Sequence, residues 1–302
     1  MTATESCTFV SPLAHPGPRA AQRRISLPTS SLVVPVVLPV GRSLVEALGA
    51  VLDQLGVDSA QVELLDGTFS RLSYTYPAID ELGPAVVGYA QPASHAAVPA
   101  RIIAGSATVG RRDGQRFVHC HAAWFDSHGA LRGGHLWPAD TVTGADVRVV
   151  VHALHDVRCL SSDDPESTLP VFTPRPRTHT GPRSGAGSGG EVRRAVMSRL
   201  APGVELVGAV TEVIAEAGFA AASINGSLGS LVGAVFRRAG STLVVDGPAT
   251  EATLTGRFDA SGEAVVTLIA IDRFGSVHAG LLVPGENIIA VTAELLVEEV
   301  AS

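Results

Sequence analysis

The sequence predicts an α/β (α+β) protein of two similar units, each a mostly antiparallel sheet served by one principal helix. Three observations predict it. Apolar residues recur at helical spacing in two separate stretches, each bracketed by glycines. Turn residues join β-rich stretches into hairpins, again twice. Between the two sets lies a run too rich in Pro, Arg, Gly and Ser to be a third element.

Residues 1–30, with His15-Pro-Gly-Pro18, read as an irregular N-terminal arm, either packed across a domain or a loose tail. The first unit spans 31–172. Leu44, Ala47, Leu48, Val51, Leu52 and Leu55 form the stripe of an amphipathic helix, preceded by Gly41 and closed by Gly56 as a left-handed cap. A strand ending at Gly110 follows. In residues 116–137 the cluster Asp126-Ser127-His128-Gly129 folds one strand back on the next. Residues 173–192 are a flexible linker ending Ser184-Gly-Ala-Gly-Ser-Gly-Gly190.

The second unit, 193–302, repeats these landmarks in order. Leu206, Ala209, Val210, Val213, Ile214 and Ala217 form the helix stripe between Gly203 and Gly218. A strand ends at Gly256, and Asp272-x-x-Gly275 matches Asp126-x-x-Gly129. Gly280-Leu281-Leu282-x-Pro284 matches Gly134-His135-Leu136-x-Pro138.

Composition narrows the function classes. The 302 residues suit two ordinary domains, and 46% apolar content is ample for real cores. A net charge of −7 argues against a nucleic-acid surface, which needs clustered positive charge. Every basic residue is arginine, and no Gly-Arg-Pro core of a minor-groove hook occurs. Three scattered cysteines (Cys7, Cys120, Cys159) and no visible targeting signal predict a reduced, cytoplasmic protein. The apolar run Leu32–Val40 is too short for a membrane span.

The chemistry concentrates at residues 119–137. Side chains alternate along a strand, so His119 and His121 share a face, and the turn brings His135 opposite His121. Three convergent imidazoles suffice to hold a divalent cation, zinc being the expected ion, with a position left open; a purely structural metal or a hydrogen-bonded histidine cluster is the other reading. Gly133 and Gly134 allow close backbone approach beside the ligand. Cys120 alternates to the opposite face and reads as core, as does Trp124, while Trp137 is placed to line a pocket. No P-loop, nucleophile elbow or dinucleotide fingerprint offers another catalytic class.

His119-Cys120-His121, the short turn and Gly133-Gly134-His135-Leu136 resemble the signature of the PPC (plants and prokaryotes conserved) domain. The resemblance reaches upstream to Gly105-Ser-Ala-Thr-Val-Gly110 and the helix at Gly41, and a weaker copy covers about 195–300. It implies a compact α/β domain with an antiparallel sheet, association into trimers, and a metal held by the motif histidines. Plant relatives join the domain to DNA-binding hooks, which implies a DNA-associated regulatory alternative. Carried through the repeat, His119 becomes Val265, His121 becomes Thr267 and His135 becomes Leu281. The second copy then supplies packing surface or part of a pocket wall; packing is the expectation.

A cation on three neutral imidazoles keeps its charge, so it attracts an anion, polarises a carbonyl or lowers the pKa of bound water to about 7. The expected function is therefore metal-dependent catalysis, of the lyase or hydrolase type, on a small anionic carboxylate or carbonyl metabolite. Arg132, Arg101, Arg112 and Arg158 are the candidate clamps for its carboxylate. Asp126, His128, Asp140, Asp146 and Glu166 lack distinguishing context, so no general base is assigned. A metabolite-binding module using the metal only as an anchor is the other alternative. Near one equivalent of divalent metal per chain is expected. His121→Ala should lose it and Thr267→Ala should keep it, as elemental analysis reads directly; metal retained in His121→Ala rejects the assignment.

Overall fold

The computed structural model describes residues 13–79, 87–177, 190–247, 250–258 and 264–300. Two helices are present among them, α1 (Leu44–Leu55) and α2 (Leu206–Ala217). Both end where the glycine spacing predicts, on Gly56 and Gly218 in the left-handed conformation (φ 66°). Ser43 starts α1 with a capping box: its side chain accepts from the Glu46 N–H, and the Glu46 carboxylate accepts from the Ser43 N–H.

The main strands of the first repeat are β1 (Arg24–Val37), β2 (Ser59–Asp66), β3 (Ala100–Arg112), β4 (Gln115–Phe125), β5 (Leu131–Leu136), β6 (Arg148–Leu154), β7 (Val157–Asp163) and β8 (Pro170–Pro176). Those of the second are β9 (Glu191–Leu200), β10 (Ala222–Leu231), β11 (Thr250–Phe258), β12 (Ala264–Ile271), β13 (Val277–Leu281) and β14 (Ile289–Glu299). The first repeat runs β5–β4–β3–β2–β6–β1 and the second β13–β12–β11–β10–β14–β9. The two orders correspond strand for strand. They join because β1 pairs with β6 on one side and with β9 on the other, from Arg24↔Leu200 to Val33↔Glu191. Except for the short parallel match of β7 to β3, every pairing among the described strands is antiparallel.

Register confirms the internal repeat. His121 pairs with His135 across β4–β5, and Thr267 pairs with Leu281 across β12–β13. Because one hydrogen-bonded sheet runs through both repeats, they are not two separated bodies. Residues 24–30 belong to β1, whereas the sequence reading placed them in the arm. Residues 13–23 are irregular and tied down, with His15 Nε2 2.7 Å from the Ala290 carbonyl and the Gly17 N–H donating to Glu166 O. Most of the expected linker and Cys7 lie outside the described residues. The linker's first residues, through Pro176, are strand. No helix among the described residues is long and apolar enough to cross a membrane.

Each helix packs on one face of its own half-sheet. Val118, Cys120, Ala122 and Trp124 of β4 meet Leu44, Leu48 and Leu52 of α1 in one core; Leu206, Val210 and Ile214 of α2 anchor the matching core of the second repeat. The opposite faces of the two halves meet each other. There Leu154, Cys159 and Phe172 pack with Met197 and Leu296, and a Cβ on Gly226 would stand 3.0 Å from Val62 N. Alternation thus sends Cys120 to the helix side, as the sequence predicts, and His119 and His121 into the seam between repeats.

The seam holds charge as well as apolar surface. His152 of β6 lies 2.9 Å from Glu298 of β14 and 2.8 Å from Glu63 of β2, and Glu298 also accepts from Ser31 and Asn225. Burial disfavours a charged ring, but the two carboxylates outweigh it and hold the His152 pKa up at about 9. Burial likewise opposes a charged Glu298, yet His152 draws its pKa down to about 2. The raised histidine contributes stability that is complete below its ordinary value near 6.5 and lost as pH rises through about 9. The lowered glutamate contributes stability present above about 4.5 and lost as pH falls through about 2. Removing one partner of a buried pair costs about 3–5 kcal/mol. His152→Ala should therefore lower the melting midpoint near pH 6 and flatten its decline between pH 6.5 and 9. Parallel pH profiles for parent and variant would remove the pair from the list of what holds the repeats together.

Candidate metal centre

Strands β4 and β5 present His119, His121 and His135 to one point, as their spacing predicts. The ring centroids of His119, His121 and His135 lie 4.6–5.3 Å apart pairwise. A fourth donor joins them from the second repeat, the Glu251 carboxylate of β11, and one ligand atom from each of the four falls within 4.8 Å of the others. His119 Nε2 and His121 Nε2 are 3.0 Å apart, and Glu251 Oε2 touches His121 Nε2. Gly133 and Gly134 make the convergence possible. A Cβ on Gly133 would stand 2.4 Å from Ile271 of the second repeat, and one on Gly134 2.6 Å from the Thr75 carbonyl.

The outer hydrogen bonds set the tautomers. The Ala252 carbonyl, 3.0 Å from His121 Nδ1, can only accept, so that nitrogen carries the proton. Glu294 Oε2 of β14 lies 2.8 Å from His119 Nδ1 and also accepts from Thr108. Burial works against ionising Glu294, but His119 holds its pKa below the usual carboxylate range, so it too accepts. A proton on either Nε2 makes their 3.0 Å contact a hydrogen bond; with both rings neutral, the two present only lone pairs to each other. No hydrogen bond can form between two such lone pairs. Two ring nitrogens bound to one cation at about 2.1 Å sit about 3.0–3.4 Å apart, so this spacing suits a shared cation. The donor set fits a divalent metal.

The protonation states of His135 and Glu251 agree with that fit, whereas the charge on His119 opposes it. Burial pushes the His135 pKa down to about 4, helped by the neighbouring histidines and only partly offset by Glu251. Burial opposes a charged Glu251, but His121 and His135 hold it well below its ordinary range. Burial also lowers the pKa of His119, but Glu294 and Glu251 more than compensate. A neutral imidazole and an ionised carboxylate are the forms a cation binds.

The donors line a cavity of about 310 Å³ walled by Tyr89, Phe117, Trp137, Leu169, Phe172 and Val291. Trp137 lines it as predicted, its ring 5.5 Å from that of His135, and Trp124 is fully buried core. Tyr89 Oη is 3.2 Å from His135 Nδ1, and burial raises its pKa well above the ordinary phenol value. Trp137 Nε1, Ser161 Oγ and Thr292 Oγ1 are buried without a hydrogen-bond partner among the described residues, and all three residues line the cavity.

The candidate arginines stand elsewhere. Arg132 pairs with Asp126 at the hairpin turn, Arg101 lies over the Phe125 ring, Arg112 pairs with Asp163, and Arg158 lines a separate recess. Among the described residues, no arginine lines the histidine cavity. His128 is exposed at the turn, and Glu166 is bound to Arg23. Sequence reasoning missed Glu251 and Glu294 by reading the second repeat as packing. The available signal was a charged residue inside an otherwise apolar strand, where burial demands a partner.

No family model and no curated protein matches the chain. Solved structures do match. A metal-containing protein from Archaeoglobus fulgidus is 20% identical over 47% of this chain and 92% of its own, with a TM-score of 0.39. A PPC protein from Pyrococcus horikoshii is 18% identical over 48% of this chain and 94% of its own, at 0.36. A proposed DNA-binding protein from Bacteroides thetaiotaomicron is 16% identical over 47% and 90%, also at 0.36. A PPC protein thus stands among the structural neighbours, as the motif resemblance implies. Likeness at this level assigns nothing to the site, which is defined by the chain's own donors.

Glu251→Gln should weaken divalent-metal affinity by more than tenfold, and Glu294→Gln by about 10–100-fold through loss of His119 orientation. Competition against a chromophoric chelator measures both; a Glu251→Gln chain that binds as tightly as the parent removes that residue from the donor set.

Proposed function

We propose that the chain is a divalent-metal protein that takes a small, largely apolar carbonyl compound into the seam between its repeats and acts on it as a lyase or hydrolase. One observation carries this reading: three histidines and the Glu251 carboxylate meet at the wall of an aromatic cavity. His119, His121, His135 and Glu251 would hold the cation. When bound, it supplies Lewis acidity for polarising a carbonyl or acidifying water.

The protein's own groups do the rest. Phe117, Leu169, Phe172 and Val291 exclude water and favour an apolar body. Tyr89 keeps its proton at neutral pH and can donate to an oxygen beside His135. Trp137 Nε1, which can only donate, suits a second acceptor on the ligand. Glu251 and Glu294 already balance a double positive charge, and the wall carries no arginine among the described residues. The carbonyl arm of the sequence expectation therefore fits the cavity better than the carboxylate arm. Zinc as the ion, a homo-oligomeric assembly and a cytoplasmic setting complete the proposal. Cys120 and Cys159, both free and buried, suit a reducing compartment.

The test compares metal-loaded parent with His121→Ala on a panel of small aryl esters and enolisable aryl ketones. Turnover by the parent and loss of at least a hundredfold in the variant is the expected outcome. Metal-dependent ligand binding with no turnover would leave the anchor-only module. Salt-sensitive retention on duplex DNA, unaltered by His121→Ala, would replace both readings with a DNA-associated one.

A further inference from the structure

Outside the metal cavity, a second recess of about 400 Å³ opens where β3, β7 and β8 run side by side. Its wall carries Arg111, Arg158 and Arg175 together with the hydroxyl residues Ser161, Ser162 and Thr173. Arg158 and Arg175 are direct cross-strand partners in the β7–β8 pair, so their side chains leave the sheet on the same face. Leu160, two residues along β7, pairs with Arg111 of β3 and brings the third guanidinium to that face.

The charge there is uncompensated. Arg111 keeps Asp58, 3.2 Å away, as a partner. Arg158 and Arg175 have no carboxylate partner among the described residues, and Arg158 Nε is buried without any hydrogen bond. Asp113, the acidic residue of the wall, is turned to solvent beside Arg112. Like charges placed directly opposite on a sheet destabilise it, and no carboxylate among the described residues relieves this pair. Guanidinium forks with neighbouring hydroxyls match the tetrahedral oxygens of a phosphate.

We propose that Arg111, Arg158 and Arg175 form a binding recess for a phosphate-class oxyanion, distinct from the metal centre but sharing Ser161 with its cavity. Ser161 lines both spaces, and its hydroxyl is buried without a partner. Alternation turns the Ser161 side chain to the Phe172 side, so the recess and the metal cavity lie on opposite faces of β7, and the oxyanion is either a free ion or the end of a longer ligand.

Calorimetric titration with inorganic phosphate, at constant ionic strength set by chloride, tests this on the full chain. The parent should bind saturably at one site, R175Q at least tenfold more weakly, and R158Q/R175Q not measurably. Without phosphate, R175Q should melt above the parent because a like-charge pair is gone; with phosphate only the parent should gain stability. Absence of saturable binding by the parent, or equal binding by parent and double variant, would overturn the recess. Arg175 is exposed, so R175Q should fold, which circular dichroism checks. Metal content should be unchanged in R158Q/R175Q, so the outcome is read independently of the metal assignment. Phenyl phosphate binding more tightly than inorganic phosphate identifies the oxyanion as one end of a longer ligand; equal affinities identify a free ion.

Discussion

Carboxylates of the second repeat meet imidazoles of the first inside the seam where the two half-sheets face each other, and the rest of the structure depends on that pairing. Glu251 against His121, Glu294 against His119 and Glu298 against His152 are all buried contacts between repeats. A carboxylate taken out of water without a partner costs several kcal/mol, so each of these strands is tolerable only in the register that supplies one. The apolar contacts of Met197, Leu296 and Phe172 bring the halves together; the ionic contacts specify how they lie. The same specification assembles the metal site. Neither repeat alone holds four donors.

This arrangement explains why the two copies differ. Their strand order and helix caps coincide, and Thr267 and Leu281 occupy the register positions of His121 and His135. The first copy carries the nitrogen donors; the second carries the charge that tunes and completes them. A second set of histidines in the second copy is unnecessary, because Glu251 and Glu294 come from β11 and β14 on the facing half-sheet. Division of labour, with the second repeat as pocket wall, is therefore the better description than packing alone.

Charge balance also redirects the chemistry. Three neutral histidines would leave a cation strongly electrophilic toward anions. Two nearby carboxylates offset that pull, and the aromatic wall favours a neutral, apolar body. Positive charge without a partner is concentrated instead in the arginine recess beyond Ser161. The candidate donors, the apolar enclosure and the arginine recess thus lie on different surfaces.

How much was legible in the sequence follows from the range of each interaction. The helices were, because a 3.6-residue stripe between Gly56-type and Gly218-type caps is a local property. The convergence of His119, His121 and His135 was too, since strand alternation and a turn after Asp126 settle it within some twenty residues. Glu251 and Glu294 were not. Each stands more than a hundred residues from the histidine it serves, and an apolar strand with one carboxylate announces only that a partner exists. The arginines failed as clamps for the same reason, for nearness to the motif in sequence says nothing about which face of the sheet a side chain leaves. The chain by itself therefore determined its repeat, its helices and a three-histidine hairpin, all consequences of short-range backbone geometry. Only the tertiary structure decided which carboxylates close the site, how its charge is balanced and what shape of ligand it admits, because burial and Coulomb attraction act between strands that the sheet alone brings together.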